Sequence, residues 1–387
     1  MKKTRIGIIG IGGMGSNHFG ALYEGNVPGA EVTAVCDKDP ARLAWAQEQG
    51  LDASGCFDTP DAFFADAQMD AVMIATPHYD HPPLAIQALK KGLHVLVEKP
   101  AGVYTRQVRE MNAVAADAPG VFAIMFNQRM QTAHRKIKDL IDSGELGEIR
   151  RVNWIITNWF RSQAYYDGGG WRATWRGEGG GALVNQCPHQ LDLIQWLCGK
   201  PTRVSVHCAF GKYHDIEVED DVTAFMEYAT GATGVFITST GEAPGTNRLE
   251  IVGEKGRLVL ENDTLTFRRN RVPMSEFCRT TTASFAKPEC WTIDIPTGKM
   301  PASEHTLVMR NWVNAIREGE ELLSPGAEGI QGVELCNAML MSAWTGQPVD
   351  LPIDDDAYYD LLQERIAAST VVKDESRNAV ADLSGSF

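Results

Sequence analysis

Arg5-Ile6-Gly7-Ile8-Ile9-Gly10-Ile11-Gly12-Gly13-Met14-Gly15 decides the fold of this chain. Arg5 to Ile9 reads as a buried strand, and the glycines follow at once. Gly10 permits a tight turn, Gly12 lets the backbone approach a pyrophosphate, and Gly15 lets the next helix pack close to the sheet. The spacing predicts a helix from Gly13 to Tyr23, so that the amides around Gly13 and Met14 and the helix dipole point at phosphates. Glu31 to Cys36 reads as a second strand, with Asp37 at its end, 22 residues beyond Gly15. That is close to the spacing of a carboxylate that bonds the ribose hydroxyls of a dinucleotide. A bare glycine turn is often only a turn. The strand before it, the helix after it and the acid beyond make it a dinucleotide site. Asp37 argues for NAD, because a carboxylate repels a 2′-phosphate, while Lys38 beside it leaves NADP as the alternative.

Working outward, strand and helix alternate to about residue 125. Ala71 to Ala75, His94 to Val97 and Val121 to Phe126 read as strands. Pro82 to Lys90 and Thr105 to Ala116 read as helices. Such alternation means a doubly wound parallel sheet, a Rossmann domain over residues 1–125. The pattern then changes. A helix near Ala133 to Ile141 leads to a strand from Arg150 to Thr157, a Gly- and Trp-rich loop, and a helix through Leu197. Consecutive strands follow at Arg203 to Phe210, Val222 to Tyr228, Ala232 to Ser239, Arg248 to Val252 and Gly256 to Glu261. They predict an α+β domain over 126–372 with a large open, mostly antiparallel sheet. Arg268 to Ser303 reads as a long polar, irregular segment. Helices near Thr306 to Glu318 and Gly329 to Ala343 are expected to close the second domain, and 373–387 to fray as a tail.

Composition excludes several classes. A chain of 387 residues exceeds the size at which one core stops growing. With 36 basic and 50 acidic residues the net charge is −14, which disfavours nucleic acid or an anionic membrane as partner. No apolar run is long enough to span a bilayer. Met1-Lys2-Lys3 and the apolar residues after it resemble a signal peptide, but the glycine turn interrupts them and no cleavage site follows. The eight cysteines are scattered, with no metal spacing, as expected of reduced thiols in a cytoplasm.

Two further stretches carry chemistry. Ala75-Thr76-Pro77 and Glu98-Lys99-Pro100 each end a strand at the carboxyl edge, where ligands bind in such sheets. A lysine there can orient a reacting hydroxyl and stabilise a developing alkoxide. Glu98 can hold that lysine or bond the cofactor. His78 and His81 share the first turn, and His81 reads more readily as a cap or packing residue than as a catalyst. The second stretch is Gly179-Gly180-Gly181-Ala182-Leu183-Val184-Asn185-Gln186-Cys187-Pro188-His189, continuing to Asp192 and Trp196. Asn185, His189, Asp192 and Trp196 fall on one helix face. A histidine there can move a proton near neutral pH. Pro188 cannot donate a helical hydrogen bond, so either the helix starts late with Asn185 as its N-cap or it kinks.

Together these motifs resemble the Gfo/Idh/MocA family, the relatives of glucose–fructose oxidoreductase and inositol dehydrogenase. The resemblance covers nearly the whole chain. It rests on the glycine turn, Thr76-Pro77 with His81, Glu98-Lys99-Pro100, Asn127-Gln128-Arg129 and the Gly-Gly-Gly…His-x-x-Asp helix. It implies chemistry by Lys99 and His189 and a cofactor held by the glycine turn, Asp37, Thr76, Pro77 and Glu98, with His81 and Asn127 beside it. It also implies an open sheet that mediates homodimers or homotetramers. Many members carry an aspartate four residues before the histidine, where this chain has Asn185. An amide can orient the imidazole or bond a substrate hydroxyl, and Asp192 is within reach to supply the missing charge.

The loop before that helix holds Trp154, Trp159, Phe160, Tyr165, Tyr166, Trp171 and Trp175, interleaved with Arg161, Arg172 and Arg176. Aromatic faces stack on sugar rings and arginine forks bond hydroxyls or a carboxylate, so Trp159, Trp171, Arg172 and Trp175 are candidate substrate contacts. A subunit interface has the same composition. The expectation is an NAD(P)-dependent dehydrogenase of a sugar, glycoside or cyclitol. A redox-neutral enzyme that keeps its NAD and a non-catalytic nucleotide and sugar sensor stand as alternatives.

Overall fold

The computed structural model describes residues 2–373. The tail expected to fray therefore lies, beyond Lys373, outside the described residues. Six strands, β1 (Thr4–Ile9), β2 (Ala30–Cys36), β3 (Cys56–Phe57), β4 (Ala71–Ile74), β5 (His94–Val97) and β6 (Phe122–Ile124), lie parallel in the order β3-β2-β1-β4-β5-β6. Their short all-apolar runs are what a sheet covered on both faces requires. The order reverses between β1 and β4. The carboxyl ends of those two strands therefore open the crevice in which such sheets bind ligands.

Nine strands form the second sheet: β7 (Ile149–Ile156), β8 (Arg203–Phe210), β9 (Glu219–Glu227), β10 (Thr233–Ser239), β11 (Asn247–Gly253), β12 (Gly256–Glu261), β13 (Thr264–Asn270), β14 (Cys290–Ile295) and β15 (Val349–Asp350). Their order is β14-β13-β12-β11-β7-β10-β9-β8-β15, antiparallel throughout except for the β7–β10 pair. Trp154, Met226, Phe236, Leu249 and Ile251 point from one face into a single core, which also takes in Leu191, Leu193, Leu335 and Leu340 of the helices Pro188–Cys198 and Gly329–Thr345. The strands alternate buried and exposed positions, as a sheet covered on one face should.

Three expectations need correction. The segment from Arg268 to Ser303 is not irregular throughout: it completes β13, forms a helix over Met274–Thr280 and returns as the edge strand β14. The helix Glu304–Glu318 does not close the second domain. Its apolar face (Val308, Met309, Trp312 and Val313) joins the core behind the parallel sheet, with Ile8, Phe19 and Met73. Finally, Pro188 neither kinks a helix nor follows a cap at Asn185. A π-helical turn covers Ala182–Gln186, and the α-helix begins afresh with Pro188 in its first turn, where a missing N–H costs nothing.

The two sheets are joined through Arg129, in the turn Asn127–Met130 that follows β6. Arg129 bonds both carboxylate oxygens of Asp192, at 2.8 and 2.5 Å, with both side chains about 1% exposed. Its remaining donor reaches Glu328 and the carbonyl of Leu323. Burial pushes the Asp192 carboxyl up to about 6 while the guanidinium pulls against it. Removing one partner of such a pair strands the other in the interior. Arg129→Met should therefore cost about 3–5 kcal/mol in denaturant unfolding. Adding Asp192→Leu should recover most of that loss.

Candidate active site

The glycine turn has the geometry its sequence calls for. Gly10 sits at φ +84°, and a β-carbon there would press on the Ala75 carbonyl. A β-carbon on Gly15 would fall 1.9 Å from the carbonyl of Gly10, so nothing larger fits between helix and strand. A β-carbon on Gly12, by contrast, would meet nothing within 4 Å, which leaves room on that side for a phosphate to reach the backbone. Gly13 and Met14 open the helix Gly13–Tyr23 and are partly exposed. The Asp37 carboxylate accepts hydrogen bonds from the amides of Ile11 (2.8 Å) and Asp39 (3.0 Å), which fixes it at the end of β2 beside the turn. Lys38 next to it is exposed. Arg42, which sequence reading passed over, donates to the Ile11 carbonyl at 2.7 Å and to Ser16.

After β4, after β6 and on the helix Pro188–Cys198, buried polar atoms are left without a partner among the described residues. Thr76 Oγ1, Asn127 Oδ1 and His189 Nδ1 each lack a partner there. Orphaned polar atoms of this kind cost stability unless a ligand satisfies them. With the open ground over Gly12 they fit a bound dinucleotide. Asn127 uses its nitrogen on Glu304 at 2.8 Å, which leaves the oxygen available. His81 is otherwise engaged. Nδ1 lies 2.7 Å from the Pro100 carbonyl and Nε2 2.8 Å from that of Thr76, so it ties the two strand-end turns together rather than facing a cofactor.

Glu98 is buried. Its Oε1 lies 2.7 Å from His18 Nε2, and its Oε2 accepts from the Lys99 amide at 3.0 Å. It therefore holds the backbone of Lys99 and not the ammonium. Burial alone would raise the Glu98 carboxyl, yet the hydrogen bond and charge of His18 hold it down at about 2. His305 lies near this group, its ring 5.7 Å from that of His18. Burial lowers His305 to about 4 against the pull of Glu98.

Lys99 Nζ donates to the backbone carbonyl of Asn185 at 3.0 Å. Burial lowers the Lys99 ammonium below its ordinary value, Glu98 opposes the shift, and Arg172 adds to it. His189 follows Asn185 by one helical turn and packs against Phe126. Burial, and then the charge of Lys99, hold its imidazole well below its ordinary value, so it is neutral at physiological pH. Asn185 does not touch that ring: its side-chain nitrogen donates to Glu178 and, at 3.4 Å, to the Tyr165 hydroxyl. Asp192, spent on Arg129, does not supply the charge expected of it.

The aromatic loop divides in two. Trp171 and Arg172 are partly exposed, with the guanidinium over the Trp171 and Tyr165 rings and 2.6 Å from the Tyr165 hydroxyl. Trp171 also packs edge-on against His78. Trp159 is half-buried with Arg161 over its ring. Trp154 and Trp175, however, are core residues. Trp175 packs against Trp344 and Phe210 and is 4% exposed, so it is not available to a substrate.

Sequence reading also missed His18 and Glu178. His18 shares the buried stripe of Gly15, Phe19 and Leu22, and a polar residue on an apolar stripe was a legible signal. Glu178, a lone charge among glycines in a buried stretch, was another.

The family model described as an oxidoreductase family with an NAD-binding Rossmann fold matches residues 4–126, and the model of the GFO/IDH/MocA C-terminal domain matches 134–259. The chain belongs to the Gfo/Idh/MocA family. Its first domain is the family's NAD-binding Rossmann domain. An inositol 2-dehydrogenase of Corynebacterium glutamicum is 28% identical over 236 residues, 59% of this chain and 65% of that protein. The match thus spans less than two thirds of that relative. An inositol 2-dehydrogenase of Rhizobium meliloti is 26% identical over 88% of this chain and 96% of its own length. Among solved structures, the WlbA dehydrogenase of Bordetella pertussis, in complex with NADH and UDP-GlcNAcA, is 28% identical with a TM-score of 0.76, covering 91% of this chain and all of that one. Among the described residues no helix is long and apolar enough to cross a membrane.

The fixed carboxylate of Asp37 should make NAD bind more tightly than NADP. Titration of both by intrinsic tryptophan fluorescence checks this, and Asp37→Ser should narrow the gap because Lys38 and Arg42 then face the phosphate unopposed.

Proposed function

We propose that this chain is an NAD-dependent dehydrogenase acting on a secondary hydroxyl of a sugar, a sugar derivative or a cyclitol. The observation that carries the reading is the pairing of Lys99 with the turn that leads into His189, at the carboxyl edge of the parallel sheet. Bound NAD supplies the acceptor for the hydride. Lys99 orients the substrate oxygen and stabilises the charge that develops on it. Neutral His189 takes the hydroxyl proton as general base. The partly exposed Trp159 and Trp171 offer ring surface to a sugar or cyclitol, and Arg161 and Arg172, which lie over those rings, offer donors to hydroxyls or a carboxylate. The substrates named in the relatives, inositol and UDP-GlcNAcA, fall within this class. The uncovered face and edge of the nine-stranded sheet, with Phe225, Trp291 and Ile293 exposed, suit assembly into a homodimer or homotetramer.

The test is NADH release from a panel of cyclitols, sugars and nucleotide sugars. Stoichiometric NADH with one of them supports the reading. Substrate conversion with no NADH released would replace it with the redox-neutral alternative, and binding without turnover with the sensor.

Two outcomes follow on any active substrate. Lys99→Ala should lower kcat on the order of 100-fold, the scale of losing one donor at a reacting oxygen, with NAD affinity nearly unchanged. The pH dependence has a definite sign as well. His189 must be unprotonated to act, and its pKa lies well below the ordinary value, so kcat/KM should stay level on descending through about pH 6.5 and fall only well below it. An acid limb at or above that value would contradict the assignment.

A further inference from the structure

Glu178 lies in Gly177-Glu178-Gly179-Gly180-Gly181 and is 2% exposed. A carboxylate so buried needs donors, and both of its oxygens have one. Oε1 accepts from Asn185 Nδ2, and Oε2 accepts from the amide of Ala173 at 2.6 Å. These donors come from the two segments that meet at the proposed reacting centre. Asn185 belongs to the π-helical turn whose backbone carbonyl anchors Lys99. Ala173 directly follows Trp171 and Arg172 and sits at φ +53°, a left-handed conformation that a residue with a β-carbon avoids unless something holds it there. A third tie comes from the Glu178 carbonyl, 3.3 Å from His78 Nδ1 at the end of β4.

The amide of Asn185 is thereby given a direction. Its nitrogen donates to Glu178 Oε1, an acceptor oxygen, and so faces Glu178. The other group within reach of that nitrogen, the Tyr165 hydroxyl, already takes donors from Arg172 (2.6 Å) and Gln186 (2.9 Å). Asn185 is the one residue from Gly181 to His189 that is not buried, so its side chain reaches the open side of the turn. We propose that Glu178 is a positioning residue: it clamps the Asn185 amide with its nitrogen inward, so that Oδ1 stands beside Lys99 as an uncharged acceptor for a substrate hydroxyl. The clamp stands on the geometry, and the substrate hydroxyl rests on the dehydrogenase reading. A neutral acceptor at this point adds no charge that would raise His189, whereas a carboxylate facing the site would. Burial raises the Glu178 carboxyl above its ordinary value, and Arg172, the Ala173 amide and the Asn185 amide pull against that shift.

A double-mutant cycle tests this. Glu178→Gln keeps an oxygen for Ala173 but turns an NH2 toward Asn185, so the amide must flip and present its nitrogen beside Lys99. Asn185→Asp sets two carboxylates against each other. The double variant E178Q/N185D restores one donor and one acceptor with the polarity reversed and again leaves an oxygen beside Lys99. Two readouts apply to the NAD-saturated enzyme: the thermal midpoint and kcat/KM on the best substrate of the panel. NADH titration verifies that each variant folds.

Each single variant should lower the midpoint by several degrees and kcat/KM on the order of 100-fold, the cost of misplacing a group at a reacting centre. The double variant should regain most of the midpoint and about tenfold or more of the activity. A double variant whose midpoint falls by the sum of the singles overturns the clamp. Rescue of the midpoint without rescue of kcat/KM overturns the presentation of Oδ1. Should the wild type release no NADH from any substrate, the dehydrogenase reading fails, and the midpoints still decide whether Glu178 and Asn185 are coupled.

Discussion

The buried ion pair between Arg129 and Asp192 sets the distance across which the site works. Arg129 follows β6, and Lys99 ends β5, the strand beside it. Asp192 lies one turn beyond His189 on its helix. The pair therefore relates the lysine of one domain to the histidine of the other through neighbouring elements and few intervening bonds. Burying two charges is expensive, and an apolar contact would hold the domains together at lower cost. What an apolar contact lacks is direction. Two parallel N–H···O bonds, with the rings of Phe126 and Trp196 beside the guanidinium, allow one register of the helix against the sheet edge.

Much of the fold was legible because each sheet imposes its own pattern. Strands covered on both faces read as short apolar runs, and the glycine turn announced where the first of them ended. The edge strand β14 had no such signature. Trp291, Ile293 and Ile295 alternate with Thr292 and Asp294, but this short run sits inside a long polar stretch, and five of the six residues from Cys290 to Ile295 are exposed. The helix Glu304–Glu318 shows the opposite limit. Val308, Met309, Trp312 and Val313 announce an apolar face, but an apolar face does not say which core it will join. Position in the chain suggested the second domain, and packing against Phe19 and Met73 placed it in the first.

The candidate site was half legible for a related reason. Residues proposed to face a ligand belong to short local motifs, so Gly12, Asp37, Thr76, Lys99 and His189 could be picked out by spacing. Residues that hold these in place act on partners far along the chain. His18 meets Glu98 across 80 positions and Arg129 meets Asp192 across 63. Each nevertheless leaves a trace, a polar side chain where the local pattern calls for an apolar one. Reading Asp192 as a charge for His189 took the nearest partner in sequence for the partner in space. Trp175 misled in the same way. Its neighbours Trp171 and Arg172 are partly exposed, while Trp175 turns into the core.

The protonation states of the centre follow from how its fixed charges are arranged. Burial drives both Lys99 and His189 toward their neutral forms, and each depends on the other, because a charge on the lysine makes a second on the histidine costly. Lysine is ordinarily the stronger base by about four pKa units, so a single proton between the two rests on it. Glu98, which bonds the backbone amide of Lys99, pulls the lysine back up against burial. Its pull on His189 is opposed by the charge of Lys99. His18 makes the bias durable: by holding the Glu98 carboxyl at about 2, it keeps the negative charge in place throughout the range in which the histidine could titrate. In the proposed reaction, a charged donor and a neutral base would thus be supported by a residue that touches neither the ammonium nor the imidazole.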